Sequence, residues 1–361
     1  MTRPLKITFM IPALSDGGAQ KQLIALLNTL QDAPDLELGL LRLHPGVHDG
    51  LLRTDALTID EIDLRTNYDP RALHFIGKTL ARRRPDIVMS WLHACDVYAG
   101  LVLAKTPGPR WIMAERNSAY PRTLPFLVRN HLGRRADAIV SNSRAGDAYW
   151  ARLRPRAKRF VIDNIAHDCA GITPPEHRSG PILYVGRLEA QKNVSTLARA
   201  FGLLARMRPH LRFAMIGAGS ARDGLAAIIA AGQCADRIAL PGFTPAIAPR
   251  LAKARLLVSI SHHEGLPNTL IEAVTLGTPI VASNICEHRD LLGPHYPFYV
   301  DDFTRPAAVA RVMERALDTP WDPRLFDFAR ARLARMQPGI VAAAYRDVFE
   351  TVLTRAVQAA Q

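Results

Sequence analysis

Short apolar runs alternate along the chain with stretches in which apolar positions recur every three to four residues. In the first half the runs predict strands over Ile7–Ile11, Leu36–Leu43, Ile87–Trp91, Trp111–Ala114, Ala138–Ser141 and Arg159–Ile162. In the second half they predict strands over Ile182–Val185, Arg212–Ile216, Ile238–Leu240, Leu256–Ile260 and Pro279–Ala282. Helical periodicity fills the gaps, for example over Ala19–Leu30, Leu73–Arg83 and Val194–Met207, and the tail Gly339–Gln361 reads as one long helix. Strand and helix in alternation specify a parallel α/β sheet. Two such series in one chain specify two doubly wound domains.

The alternation pauses over Ala166–Gly180, a stretch rich in Pro and Gly that carries no periodicity and reads as a linker. A fresh apolar run, PILYVG, follows it directly. The chain has 361 residues and 48% hydrophobic content, enough for two domains with full cores. The expected domains span residues 1–168 and 178–339.

The most informative segment is Ser261–Ser283, SHHEGLPNTLIEAVTLGTPIVAS. It sets two carboxylates, Glu264 and Glu272, eight positions apart around a Gly-Leu-Pro-Asn-Thr turn. The run before it predicts a strand and Leu270–Leu276 predicts a helix. Glu264 therefore belongs to the loop leaving a strand, and Glu272 to the early turns of the next helix. Asn268 or Thr269 is the expected helix cap, with Pro267 stiffening the approach. Free amides and the dipole at such a helix start favour an anion such as phosphate. Carboxylates on either side of that anion can accept hydrogen bonds from hydroxyls, which suits sugar, phosphate and ribose in a row.

Further turns carry candidate chemistry. Pro12–Leu23, PALSDGGAQKQL, ends a strand, turns at Gly17-Gly18 and opens a helix; it is not the GxGxxG dinucleotide fingerprint. Tyr184–Asn193, YVGRLEAQKN, ends a strand at Gly186 and brings Arg187 and Lys192 into one loop. Two cations there can neutralise a diphosphate leaving group, Arg as a fork and Lys as a point charge. The bland alternative is a pair of surface cations; the neighbouring Glu264–Glu272 segment favours the phosphate reading. Ala214–Leu225 places Gly217 and Gly219 after a strand, either near a ligand or in a purely structural turn. His93, Glu115, Arg116 and Asn117 fall near predicted strand ends, where ligands of parallel sheets bind. His93 is a candidate sugar contact, a hydrogen-bonded core histidine being the alternative.

The formal charge is +13 and the pI about 10.0. Nucleic acid, an anionic membrane surface or phosphorylated ligands fit such a charge, and so does a merely Arg-rich composition. The first 165 residues hold 24 Lys and Arg against 16 Asp and Glu, the larger excess. Aromatic residues make up only 7%, few for base stacking, and no nucleic-acid motif is present, so no nucleic-acid partner is expected. Cys95, Cys169, Cys234 and Cys286 are scattered and form no CxxC pair, which fits a reducing compartment. His262 and His263 are adjacent, a poor geometry for one metal, and no Asp-x-Asp pair occurs, so no metal is expected. The segment MTRPLKITFMIPAL reads as a first strand rather than a signal peptide, and no apolar run reaches the ~20 residues of a membrane span.

Taken in order, GGAQ, VGRLEAQKN, HEGLPNTLIEA and LGTPIVAS resemble the retaining nucleotide-sugar glycosyltransferases of the two-Rossmann-domain (GT-B) type with a Glu-x7-Glu signature. The resemblance spans nearly the whole chain, and the ERN segment at Glu115–Asn117 is similar to one in bacterial enzymes that extend lipid-linked glycans. It implies two Rossmann-like domains facing across a cleft, with the C-terminal helix from about residue 340 packing back on the first. It implies that Arg187 and Lys192 hold the diphosphate, Glu272 the ribose and Glu264 the transferred sugar. Amides around Leu266, Pro267, Asn268 and Thr269 would meet the phosphates, with Gly186 and Gly217 nearby and Gly17 and Gly18 approaching from the first domain. Many members carry a histidine where this chain has Glu115, which makes His93 the substitute candidate for the sugar contact. Glu115, Arg116 and Asn117 stay as candidate contacts to sugar or acceptor.

The implied activity is a retaining, metal-independent transfer of a hexose or N-acetylhexosamine from a nucleotide-diphosphate sugar, with UDP or GDP as the carrier. The implied acceptor is a glycan or a polyprenyl-diphosphate-linked saccharide. No cofactor beyond the co-substrate is implied, and the expected compartment is the cytoplasm, with the inner membrane face as a candidate attachment surface. The alternatives are a sugar-nucleotide epimerase of the same fold, a basic nucleic-acid-binding protein and a non-catalytic sugar-nucleotide binder.

Overall fold

The computed structural model describes residues 3–15, 17–64, 66–67, 69–153, 155–166, 172–173, 177–244 and 246–359. Much of the linker expected at Ala166–Gly180, and Cys169 with it, lies outside the described residues. The chain divides into two units, Met1–Ile165 with Arg335–Gln361, and Ala166–Ala334.

Unit 1 is built on strands β1 (Leu5–Ile11), β2 (Leu36–Arg42), β3 (Leu57–Glu61), β4 (Ile87–Trp91), β5 (Arg110–Glu115), β6 (Ala138–Ser141) and β7 (Lys158–Val161). All pairs are parallel, in the order β3-β2-β1-β4-β5-β6-β7. Parallel strands need crossovers, supplied by helices α1 (Gly18–Leu30), α2 (Arg71–Arg83), α3 (His93–Leu103), α4 (Leu124–Gly133) and α5 (Arg144–Leu153). Ile7, Phe9 and Ile11 of β1 join one apolar cluster and Met10 joins the other, so the sheet is covered on both faces.

Unit 2 carries β8 (Ile182–Val185), β9 (Phe213–Ile216), β10 (Ile238–Gly242), β11 (Leu256–Ser259), β12 (Ile280–Ser283) and β13 (Tyr299–Val300). They are also parallel, in the order β10-β9-β8-β11-β12-β13. Its helices are α6 (Val194–Met207), α7 (Arg222–Ala231), α8 (Ala248–Lys253), α9 (Asn268–Thr275), α10 (Cys286–Leu292), α11 (Pro306–Asp318) and α12 (Asp327–Leu333). The last helix, α13 (Pro338–Ala359), returns to unit 1. Its Val341, Tyr345, Val348, Phe349 and Val352 share one buried cluster with Phe9, Leu23 and Leu27. Among the described residues no helix is long and apolar enough to cross a membrane.

Two strands were not expected. β3 is an edge strand whose five residues keep only Leu57 buried, and the half-polar sequence LTIDE hides it. β13 is two residues long, too short for any pattern.

Both sheets have a switch point, where the strand order turns outward in both directions: between β1 and β4 in unit 1, and between β8 and β11 in unit 2. Loops leaving the carboxyl ends of such strand pairs diverge and leave a crevice. In unit 1 these loops carry Gly17-Gly18 and His93. In unit 2 they carry Gly186–Asn193 and Ser261–Pro267.

Phe349 of α13 is 1% exposed. Phe349→Ala is expected to cost ~3–5 kcal/mol of stability by leaving a cavity in the unit 1 core. Chemical denaturation of the full chain measures it; a loss below ~1 kcal/mol would mean that α13 is not part of that core.

Candidate functional site

In unit 2 the adjacency of β8 and β11 joins segments more than seventy residues apart in sequence. His262 N–H donates to the Gln191 carbonyl at 2.9 Å, and Gln191 Nε2 donates to the His263 carbonyl at 2.8 Å. This stitching brings Lys192 Nζ to 2.5 Å from Glu264 Oε1. Ser261 Oγ donates to the same oxygen at 2.7 Å. Both donors fall on Oε1, and no donor meets Oε2 among the described residues.

Glu264 is only 7% exposed. Burial pushes its pKa up, but the Lys192 charge, the hydrogen bonds from Lys192 and Ser261, and nearby His288 outweigh burial and hold it below the usual carboxylate range. The group is therefore an anion at neutral pH. Glu272 lies in the second turn of α9, also buried.

The start of α9 differs from the expected cap. The cap position is Pro267, in extended conformation, and neither Asn268 nor Thr269 caps with its side chain, because both are already inside the helix. Thr269 Oγ1 instead donates to the Val185 carbonyl at 3.4 Å, tying α9 to the end of β8. Leu270 and Ile271 N–H donate to the Pro267 carbonyl at 3.1 and 3.2 Å, and the dipole of the helix start favours an anion beside it.

Arg187 is exposed and makes no ion pair among the described residues. Its backbone is anchored, since Tyr184 Oη donates to the Arg187 carbonyl at 2.6 Å. Gly217 packs the neighbouring turn against this loop. Its φ is +145°, and an added Cβ would lie 1.9 Å from the Gly186 carbonyl oxygen, so only glycine fits. Glu189 holds the turn by accepting from Ser220 N–H at 3.0 Å and Ser220 Oγ at 2.8 Å. Arg187, Lys192, Glu264, Gly186, Gly217, the Leu266–Thr269 segment and Glu272 thus all belong to unit 2.

Gly17, Gly18, His93, Glu115, Arg116 and Asn117 belong to unit 1. His93 is the first residue of α3, preceded by Leu92 at φ +71° and ψ +155°. A branched residue in that region is strained, and such strain concentrates at functional turns. Burial, then the charge of Arg129, lowers the pKa of His93, so its imidazole is neutral at pH 7.

Glu115 and Arg116 are both engaged by partners within unit 1. Glu115 is fully buried, and its Oε1 accepts from Arg116 N–H at 2.8 Å, Asn117 N–H at 2.9 Å and the Tyr120 hydroxyl. Its Oε2 accepts from Arg129 Nη2 at 2.9 Å and Trp150 Nε1 at 2.7 Å. Five donors occupy the carboxylate, leaving it internal to the fold. Arg116 stacks 3.8 Å over the Trp91 ring and donates to Asn164 Oδ1 at 3.3 Å and to the Tyr345 hydroxyl of α13. The Asn117 side chain accepts from Ser118 N–H at 2.9 Å.

Below this loop lies a network that sequence reading did not find. Arg129, 1% exposed, donates through Nε to Asp96 Oδ2 at 2.7 Å as well as to Glu115. Asp96 Oδ1 accepts from Ser90 Oγ at 2.7 Å. Burial, only partly offset by Arg129 and Ser90, pushes Asp96 up to about 6. Asp96 sits one turn after His93, so the network fixes the start of α3.

A groove of about 470 Å³ opens elsewhere in unit 2, beside the amino ends of β8, β11 and β12. Arg208 there is paired with Glu314 and Asp318, and Arg178 is spent on the carbonyls of Leu251, Ala252 and Leu276. It lies away from the carboxyl ends of the strands, where the candidate residues gather.

Residues 174–331 match the model of the family described as glycosyl transferases group 1. A Campylobacter jejuni relative is 24% identical over 325 residues, covering 87% of this chain and 89% of its own. It is named as a GalNAc-alpha-(1->4)-GalNAc-alpha-(1->3)-diNAcBac-PP-undecaprenol alpha-1,4-N-acetyl-D-galactosaminyltransferase. The lipopolysaccharide core biosynthesis glycosyltransferase LpsE of Rhizobium meliloti is 27% identical, with 74% and 76% covered. The fold is similar to that of Anabaena HepE crystallised with UDP and glucose: TM-score 0.80, 16% identity, 96% of this chain and 99% of that one.

The raised pKa of Asp96 has a pH consequence. Its contribution to stability is fully present below its unfolded value of about 3.8 and is lost as pH rises through about 6. Asp96→Asn is therefore expected to cost more at pH 4.5 than at pH 7.5, measured by denaturant unfolding of both chains. A cost that is flat across that range would contradict the assignment.

Proposed function

We propose that this chain, whose residues 174–331 match the glycosyl transferases group 1 model, moves a hexose or N-acetylhexosamine from a nucleoside-diphosphate sugar to a saccharide acceptor. One observation carries the reading: an ionised, buried Glu264 held on Lys192 at the switch point, beside the amino end of α9.

The chemistry is electrostatic. Breaking the bond between the anomeric carbon and phosphate leaves negative charge on the diphosphate and positive character on the sugar. Lys192 has three donors and, among the described residues, uses one on Glu264, which leaves donors to offer phosphate oxygens. Arg187 supplies a second, exposed guanidinium, and the α9 amides supply oriented dipoles. Preorganised donors aimed at developing charge are the strongest catalytic device in such a site. Glu264 offers Oε2 to sugar hydroxyls, and Glu272 accepts from the ribose. His93, neutral, is the sugar contact proposed from unit 1. The transfer proceeds with retention and with the cations and amides in place of a metal.

The names of the relatives support an acceptor that is a lipid-linked or lipopolysaccharide-type glycan. The exposed Leu124 and Leu127 of α4, followed by the exposed Arg134 and Arg135, support contact of unit 1 with an anionic lipid surface presenting it.

Arg187→Ala and Lys192→Ala are each expected to lower kcat by about 100-fold or more, read by diphosphate release in the presence of acceptor. Arg187→Ala keeps the melting temperature, because its guanidinium is exposed and makes no ion pair among the described residues. Lys192→Ala lowers it, because Glu264 loses its counter-charge. Normal turnover in either variant sinks the role assigned to that residue. Glu272→Ala is expected to weaken donor binding by about 10-fold or more, with calorimetry as the measurement. Unaltered affinity would remove the ribose contact.

A further inference from the structure

Glu264 stands on a turn that is held from behind. The carboxyl ends of β11 and β12 are neighbours in the sheet, Ser259 being opposite Ala282. Glu287, in the first turn of α10, accepts from the Glu264 backbone N–H through Oε1 at 3.2 Å. Ser283 Oγ donates to the Ser261 carbonyl at 2.8 Å. His288 Nδ1 lies 2.9 Å from the Ser283 carbonyl and 3.2 Å from Ser283 Oγ. A carbonyl only accepts, so Nδ1 carries the proton and donates. Ser261, Glu264, Ser283, Glu287 and His288 are all buried. The result is a relay from α10 to both ends of the Ser261–Glu264 turn, where the Ser261 hydroxyl and the Lys192 ammonium of the neighbouring loop converge on Glu264 Oε1.

We propose that Glu287 and the Ser283–His288 pair are positioning residues, which set the Ser261–Glu264 turn so that Glu264 Oε2 meets the sugar of the bound donor. The inference rests on the sugar contact proposed for Glu264. It assigns Glu287 a task distinct from nucleotide binding: it clamps the turn through one backbone N–H, and a neutral acceptor of the same shape can take its place. Small displacements of a contact group have large effects on the contact it makes.

The test is a double-mutant cycle on the full chain, read by calorimetry. The probes are the UDP- or GDP-linked hexose or N-acetylhexosamine that stabilises the native chain most, and its free diphosphate. The quantity of interest is the ratio of the two Kd values, the increment contributed by the sugar. Glu287→Ala is expected to reduce that increment by about 10-fold while the Kd of the free diphosphate is unchanged. Glu287→Gln is expected to retain it, since its amide oxygen accepts the same N–H. In the Glu264→Ala background, Glu287→Ala is expected to change the increment no further. A loss of equal size in both backgrounds, or a parallel loss for the free diphosphate, overturns the positioning role and leaves the role of Glu264 standing. A Glu264→Ala chain that keeps the full increment overturns both. The melting temperature of Glu287→Gln separates an unfolded chain from a mispositioned one.

Discussion

The Lys192–Glu264 pair is the interaction on which the rest of the second unit's site depends. Taking a carboxylate and an ammonium out of water is costly, and the pair survives only where geometry and further hydrogen bonds repay the desolvation. Here the repayment is visible: a contact of 2.5 Å, a second donor from Ser261, and a pKa held down despite burial. The pair also couples two loops that approach only because β8 and β11 are neighbours. The sheet order, the glycine at 217 and the register of loops 191 and 262–263 are the conditions for placing one charge beside another.

The first unit solves a similar problem with a different outcome. Arg129 is buried between Asp96 and Glu115, and Trp150, Tyr120 and two backbone amides complete the coordination of Glu115. Nε and Nη2 of Arg129 are engaged, while its buried Nη1 meets no acceptor among the described residues. What the network presents is the start of α3, where a strained Leu92 turns the chain out of β4 and His93 begins the helix. A buried, hydrogen-bonded ion network of this kind rigidifies its surroundings, and here those surroundings include the start of α3.

The strands covered on both faces were legible as apolar runs, with Ile87–Trp91, Ala138–Ser141 and Ile182–Val185 matched to the residue. The edge strands Leu57–Glu61 and Tyr299–Val300 were not, because half-exposed or two-residue strands leave no pattern. In the site, Lys192 and Glu264 could be singled out because each sits in a short loop after a strong strand. The partners of Glu115 were not legible, because a carboxylate at a strand end carries the same local pattern whatever it meets, and here it meets the distant Arg129 and Trp150. Long-range polar partners, like the Glu287 clamp, are set by tertiary packing and have no local signature.

The central claim is that the second unit holds a nucleoside-diphosphate sugar on Lys192, Arg187 and the start of α9. The most direct measurement is the thermal shift of the native chain against nucleoside mono- and diphosphates and their hexose and N-acetylhexosamine conjugates. A ligand that binds the folded chain raises its melting temperature by mass action. The account predicts an upward shift with one diphosphate, a smaller one with the corresponding monophosphate and a larger one with one of its sugar conjugates. The absence of any shift across the panel, or equal shifts with mono- and diphosphates, would contradict it.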